Sequence, residues 1–155
     1  MRFKGVLCIA LLTLASASRG APPDAESALG ASRALDASAQ ALDSESYGRL
    51  ISDDYVGKVI GYPSDPMRPV SFTKQELLTM LDEARKINAV YKIARTVESV
   101  TPSERQDATI IRGRVVERFD SPGGSATLVS SFSMTFVSRS GRTLLLSSAN
   151  AMAPD

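Results

Sequence analysis

The chain has 155 residues, with 18 basic against 17 acidic side chains, one cysteine, and neither histidine nor tryptophan. So even a balance leaves no electrostatic footprint for nucleic acid or an anionic lipid surface. Without histidine, a serine–histidine triad, a cysteine–histidine dyad and a histidine-containing zinc site are excluded, and the remaining residue types lead us to expect no metal and no other cofactor.

Arg2 and Lys4 are followed by an apolar stretch over residues 6–14 and by the small residues Ala15-Ser16-Ala17. This is the three-part pattern of a secretory signal. The apolar stretch is shorter than the roughly 20 residues a bilayer span needs. Residues 1–21 are therefore expected to form a signal peptide, cut near Ala17 or Ala21. The expected product is a single domain over residues 22–155, periplasmic or secreted from a bacterium, with no stable membrane anchor. Cys8 lies within the signal and follows Leu7, not the small residue that lipid attachment prefers. A mature chain without thiols has no disulfide, no thiolate metal site and no cysteine nucleophile.

Asp24 is placed to cap a first helix over residues 25–42, where Leu35, Ala39 and Leu42 make one apolar stripe. Asp43 can cap a second, short helix with Tyr47, Leu50 and Ile51 on its inner side. Gly57, Gly61, Pro63, Pro66 and Pro69 forbid a long helix next, leaving a loop with one short strand near residues 55–60. Thr73 and Glu76 form a capping box, with Phe72 and Leu77 as its hydrophobic staple. That predicts a helix over residues 74–86, with Arg85 and Lys86 at its negative end. From Ala89 the period becomes two. Strands are predicted over residues 90–100, 108–119, 126–138 and 143–152, turning at Thr101-Pro102-Ser103, at Asp120-Ser121-Pro122-Gly123-Gly124 and at Ser140-Gly141. Helices first and an antiparallel meander after is an α+β layout. Leu128, Phe132, Met134 and Phe136 share one side of their strand. So do Ile111, Val115 and Phe119, opposite Arg112, Arg114 and Arg118.

Five stretches in this order resemble the nuclear transport factor-like superfamily, in particular its SnoaL-like and small secreted bacterial members. They are Ala41-Leu42-Asp43, Leu50-Ile51-Ser52-Asp53-Asp54-Tyr55, the capped helix, Asp107-Ala108-Thr109-Ile110-Ile111-Arg112-Gly113-Arg114-Val115 and Ser140-Gly141-Arg142-Thr143-Leu144-Leu145-Leu146. The resemblance runs from about Leu35 to Ala151 and implies a cone: N-terminal helices packed on a strongly curved antiparallel sheet. The family often carries an aromatic near Ala39 and a tryptophan where Thr143 stands, so this chain has less bulk near the expected pocket. Members include isomerases, cyclases, dehydratases and domains without catalysis, so the fold does not fix a chemistry.

Arg95 stands in the face of Tyr91, Ile93 and Val97, opposite Lys92, Thr96 and Glu98. A guanidinium in an apolar face is paired, near water, or gripping an anionic ligand group. Tyr47, Tyr55, Tyr62 and Tyr91 could bring hydroxyls to a pocket, and Phe132 and Met134 could form its floor as well as its core. The ligand-binding candidates are thus Arg95, Tyr91, Tyr47, Phe132 and Met134. No complete catalytic set exists, and the suspects for one are Asp54, where the family sometimes places an acid, and Tyr55. Asp53 and Asp54, if extended, point to opposite faces and cannot share a substrate. Gly123-Gly124 lacks the lysine and helix of a phosphate loop. The leading expectation is non-catalytic binding of a small apolar or anionic ligand, or of a protein partner. The alternatives are a SnoaL-like isomerase or lyase with an aspartate base, and a module of a cell-envelope assembly that homodimerises through the serine-, threonine- and arginine-bearing sheet face.

Overall fold

A computed structural model describes residues 21–61, 68–103 and 107–152. The expected signal up to residue 20, and Tyr62, lie outside the described residues.

Asp24 opens α1 (Ala25–Gln40) by accepting the Ser27 backbone N–H at 2.7 Å. Asp43 opens α2 (Ser44–Arg49) in the same way, from Ser46 at 3.0 Å. Each supplies an acceptor to a helix-start amide that has none within the helix. Between them α1 closes in a Schellman turn: the Leu42 N–H reaches Ala39 O and the Asp43 N–H reaches Ser38 O. Leu42 takes a positive φ of 51° there, a position glycine usually fills, and its buried side chain offsets the cost. Helix α3 (Lys74–Lys86) carries both halves of the predicted capping box and ends in the same turn around Asn88.

Six strands follow the order β2-β1-β6-β5-β4-β3. They are β1 (Ile51–Ile60), β2 (Val70–Thr73), β3 (Val90–Ser103), β4 (Ala108–Ser121), β5 (Gly124–Arg139) and β6 (Arg142–Met152). The expected meander β3–β6 is present, and the sheet extends beyond it. β1 starts earlier than residue 55, lies parallel to β6, and carries β2 antiparallel on its far side. Thr101-Pro102-Ser103 does not end β3 as expected, because β3 is an edge strand and an edge proline need not donate to a neighbour. Register shifts after Val97, after Thr135 and between Ile51 and Val56 are the bulges that bend a sheet.

The concave side faces the helices. Ala28, Ala31 and Leu35 of α1 pack on Ile111, Val115, Phe132, Met134, Phe136 and Leu145. The small alanines let the helix axis come close, so the residues after Leu35 overhang the β3–β4 end of the cone. The convex side bears Arg112, Arg114, Val116 and Val129, all exposed, and Glu98 pairs with Arg114 at 3.6 Å.

Candidate functional site

β3 and β4 pair so that Arg95 sits beside Val115, Ile93 beside Glu117 and Tyr91 beside Phe119, all directed to the concave side. One turn of α1 beyond the sealed Ser32, Asp36 comes down onto this row. Arg95 Nε donates to Asp36 Oδ1 at 2.7 Å, and the guanidinium carbon lies 4.8 Å from the centroid of the Phe132 ring. The two side chains keep only 13% and 19% of their accessible surface. They are recessed without being sealed. Burial raises the Asp36 pKa above the ordinary carboxylate value, and the Arg95 charge only partly opposes it.

Tyr47 of α2 reaches the same recess. Burial raises its pKa, and the charges of Arg95, Asp36 and Glu117 are all felt at its hydroxyl. Tyr91 donates to Glu117, and burial, followed by the neighbouring carboxylate, raises the Tyr91 pKa. Among the described residues no sealed side-chain nitrogen or oxygen lacks a hydrogen-bond partner. Arg95 makes one such bond, through Nε, and its Nη edge makes none with the described residues. The second oxygen of Asp36 likewise has no hydrogen-bond partner among the described residues. The arrangement offers an oxygen-bearing group a fork of charged donors, a carboxylate acceptor and an aromatic floor.

The structure brings Arg95, Tyr91, Tyr47 and Phe132 together, but not the other named residues. Met134 is 2% exposed and sealed in the core under α1, where the Ser32 hydroxyl meets its sulfur, so it has no surface to give a ligand. Asp54 is exposed at the other end of the sheet. Arg139 holds it with bonds of 2.7 and 2.9 Å, and this pairing first, then Ser52, lowers its pKa to about 2. Paired in this way Asp54 is a weak base, and it stands apart from the Arg95 recess. Asp53 pairs instead with Lys74 at 2.8 Å. The Tyr55 ring is 3% exposed in the core, with its hydroxyl 2.6 Å from Ser148 Oγ and its pKa raised by burial, so it does not converge on Asp54. Sequence reasoning missed Asp36 and Glu117. Glu117 had a signal: it breaks the apolar alternation Val115, Glu117, Phe119 as Arg95 breaks its own. Asp36 lies four residues after Ser32 on an alanine-rich helix, and its partner on β3 is remote in sequence.

Two surface depressions flank the cone. One of about 440 Å³ is ringed by Arg49, Lys74, Arg139 and Arg142. Arg49, Lys74 and Arg139 pair there with the carboxylates Glu45, Asp53 and Asp54, and among the described residues Arg142 has no carboxylate partner. The other, of about 390 Å³, lies between Met80 and Ala84 of α3, Ile87 at its C-cap and Phe119 of β4. Among the described residues no cluster of three or more acidic or sulfur ligands could hold a metal ion.

No family model matches the sequence, and no curated protein matches it. Solved structures do match its fold. A ketosteroid isomerase-like protein from Erwinia carotovora atroseptica superposes with a TM-score of 0.63 at 13% identity, over 84% of this chain and 96% of that one. An NTF2-like protein from Cytophaga hutchinsonii gives 0.63 at 11%, over 81% and 94%. The beta subunit of the benzoate 1,2-dioxygenase from Burkholderia mallei gives 0.64 at 8%, over 84% and 91%.

Proposed function

We propose that this chain, whose fold is that of the nuclear transport factor-like superfamily, binds a small and mainly apolar molecule in its cone through one oxygen-bearing group. The supporting observation is the Arg95 guanidinium, half engaged by Asp36 and resting on Phe132, with its other edge unpaired among the described residues. A carboxylate ligand would meet two carboxylates, Asp36 and Glu117, for one guanidinium. A carbonyl or hydroxyl suits the set better: Arg95 or Tyr47 donates to it, and Asp36 accepts from it.

A second reading is proton transfer with Asp36 as the base. It draws on the raised Asp36 pKa and on the isomerase-like neighbour, and it would show as turnover of the bound molecule. The signal-like residues 1–21 support a periplasmic or secreted location, and N-terminal sequencing of the mature protein tests that. On the convex face, the neighbouring exposed Val116 and Val129 support pairing with a second copy, which sedimentation of a Val129→Lys variant tests. The binding reading is tested by native mass spectrometry of the protein purified from its own host, with extraction of retained molecules. A small-molecule adduct is expected in the wild type and not in an Arg95→Met/Asp36→Leu variant. A protein that carries no adduct and binds no apolar alcohol ends this reading.

A further inference from the structure

Three successive rungs line the concave side of β3–β4–β5. The first is Arg95, Val115 and Ser130. The second is Ile93, Glu117 and Leu128. The third is Tyr91, Phe119 and Ala126. At roughly 3.4 Å per residue, the first and third stand about 13 Å apart. The polar groups change along this path. At one end Arg95 keeps donors unpaired among the described residues. Glu117, in the middle, is already taken by the Tyr91 hydroxyl, so what Tyr91 leaves to a ligand is its ring. At the far end Phe119 faces the 390 Å³ groove, whose other wall is Thr79, Met80, Glu83 and Ala84 of α3 with Ile87 just after it. Met80 of α3 and Ile87 at its C-cap are 59% and 48% exposed, among the charged Glu76, Glu83, Arg85 and Lys86. Leu128, on the middle rung, is 38% exposed. Partly exposed apolar side chains thus stand on successive rungs between the recess and the groove.

From this juxtaposition we infer that the ligand is an elongated amphiphile: its oxygen-bearing head meets Arg95, and its apolar tail runs over Ile93, Leu128 and Tyr91 into the groove between Phe119 and Met80–Ile87. This inference rests on the binding reading above and specifies the ligand class. It differs from binding a compact ring, which would be complete near Phe132 and would not sense α3.

The probes are hexanol, octanol and decanol, with decane as the headless control, titrated by calorimetry on the full mature chain. Affinity is expected to rise about fourfold per added methylene in the wild type, as for chain entering an apolar groove. A Met80→Glu/Ile87→Glu variant flattens that rise. Both positions are about half exposed, so the helix tolerates the change, and a Met80→Ser/Ile87→Ser variant gives the same readout if charge disturbs α3. The Arg95→Met/Asp36→Leu variant keeps the rise and removes the advantage of decanol over decane. Binding of all the alcohols with no chain-length dependence, or with the same dependence in the α3 variants, overturns the tail assignment and leaves the recess standing. Failure of any alcohol to bind overturns the recess reading itself.

Discussion

Replacing Arg95 by methionine isolates the ion pair on which the recess is built. The change keeps side-chain length and removes a charge-assisted bond of 2.7 Å and the guanidinium stacked 4.8 Å from the Phe132 ring. Asp36 is left alone in a site that already raises its pKa by burial. Breaking one partner of a fully buried pair costs about 3–5 kcal/mol. Here the side chains retain 13% and 19% of their surface, so about 2–3 kcal/mol is expected at pH 8. For a domain of this size that lowers Tm by about 10 °C. The pH dependence has a definite sign. A carboxyl whose folded pKa exceeds its unfolded value holds extra protons in the native state, so stability falls as pH rises through that interval. Removing Arg95 removes the influence that lowers the Asp36 pKa, so the interval widens upward. The deficit relative to wild type should therefore be small near pH 4 and grow with pH until the folded pKa is passed. Urea denaturation at pH 4, 6 and 8 measures it. Adding Asp36→Leu should recover most of the loss at pH 8. A deficit that is the same at every pH, or below about 0.5 kcal/mol at pH 8, would refute the claim that Arg95 compensates a recessed carboxylate.

Asp54→Asn should cost no more than about 1 kcal/mol, since Asp54 and Arg139 keep 58% and 45% of their surface. The folded Asp54 pKa is lowered to about 2, so its contribution is present above the ordinary carboxylate value and lost as pH falls towards 2; the variant should lack that part of the acid limb while binding alcohols as the wild type does. Gly113→Ala would put a Cβ 2.0 Å from the Thr96 carbonyl oxygen and 3.1 Å from Phe132, forcing β3 and β4 apart; at least about 2 kcal/mol and a displaced aromatic floor are expected, read by urea titration and by weakened decanol binding. Leu35→Ala empties a side chain that is 1% exposed under α1 and should cost about 3 kcal/mol by urea denaturation.

How far the sequence could be read follows from how local each cause is. The α3 boundaries were legible because Thr73 and Glu76 lie three residues apart and cap the same turn. The meander was legible because alternation over ten or more residues is set by burial on one side. β2 was not, since its four residues are too few to show a period and its pairing is with β1 across the proline-rich segment. Nor was the parallel β1–β6 contact, which joins residues about 90 positions apart. In the site, Arg95 stood out as a charge within an apolar alternation. Its partner did not, because an alanine-rich helix tolerates many residues at position 36, and only the tertiary crossing of α1 over β3 tells Asp36 from its neighbours. Asp54 attracted notice through a family pattern, and its pairing with Arg139, 85 residues later, could not be read from the sequence.

β6 has one further consequence, because it lies between β1 and β5. During synthesis from the N-terminus, β1 and β2 can pair with each other and pack on α2 and α3, but β1 has no strand on its other side until β6 emerges. β6 is thus a keystone inserted last. A stop codon just before Arg142 would remove few core side chains, yet it would divide one continuous sheet into two pieces with raw inner edges. Such a product is expected to aggregate, and a mere fall in melting temperature would not describe it.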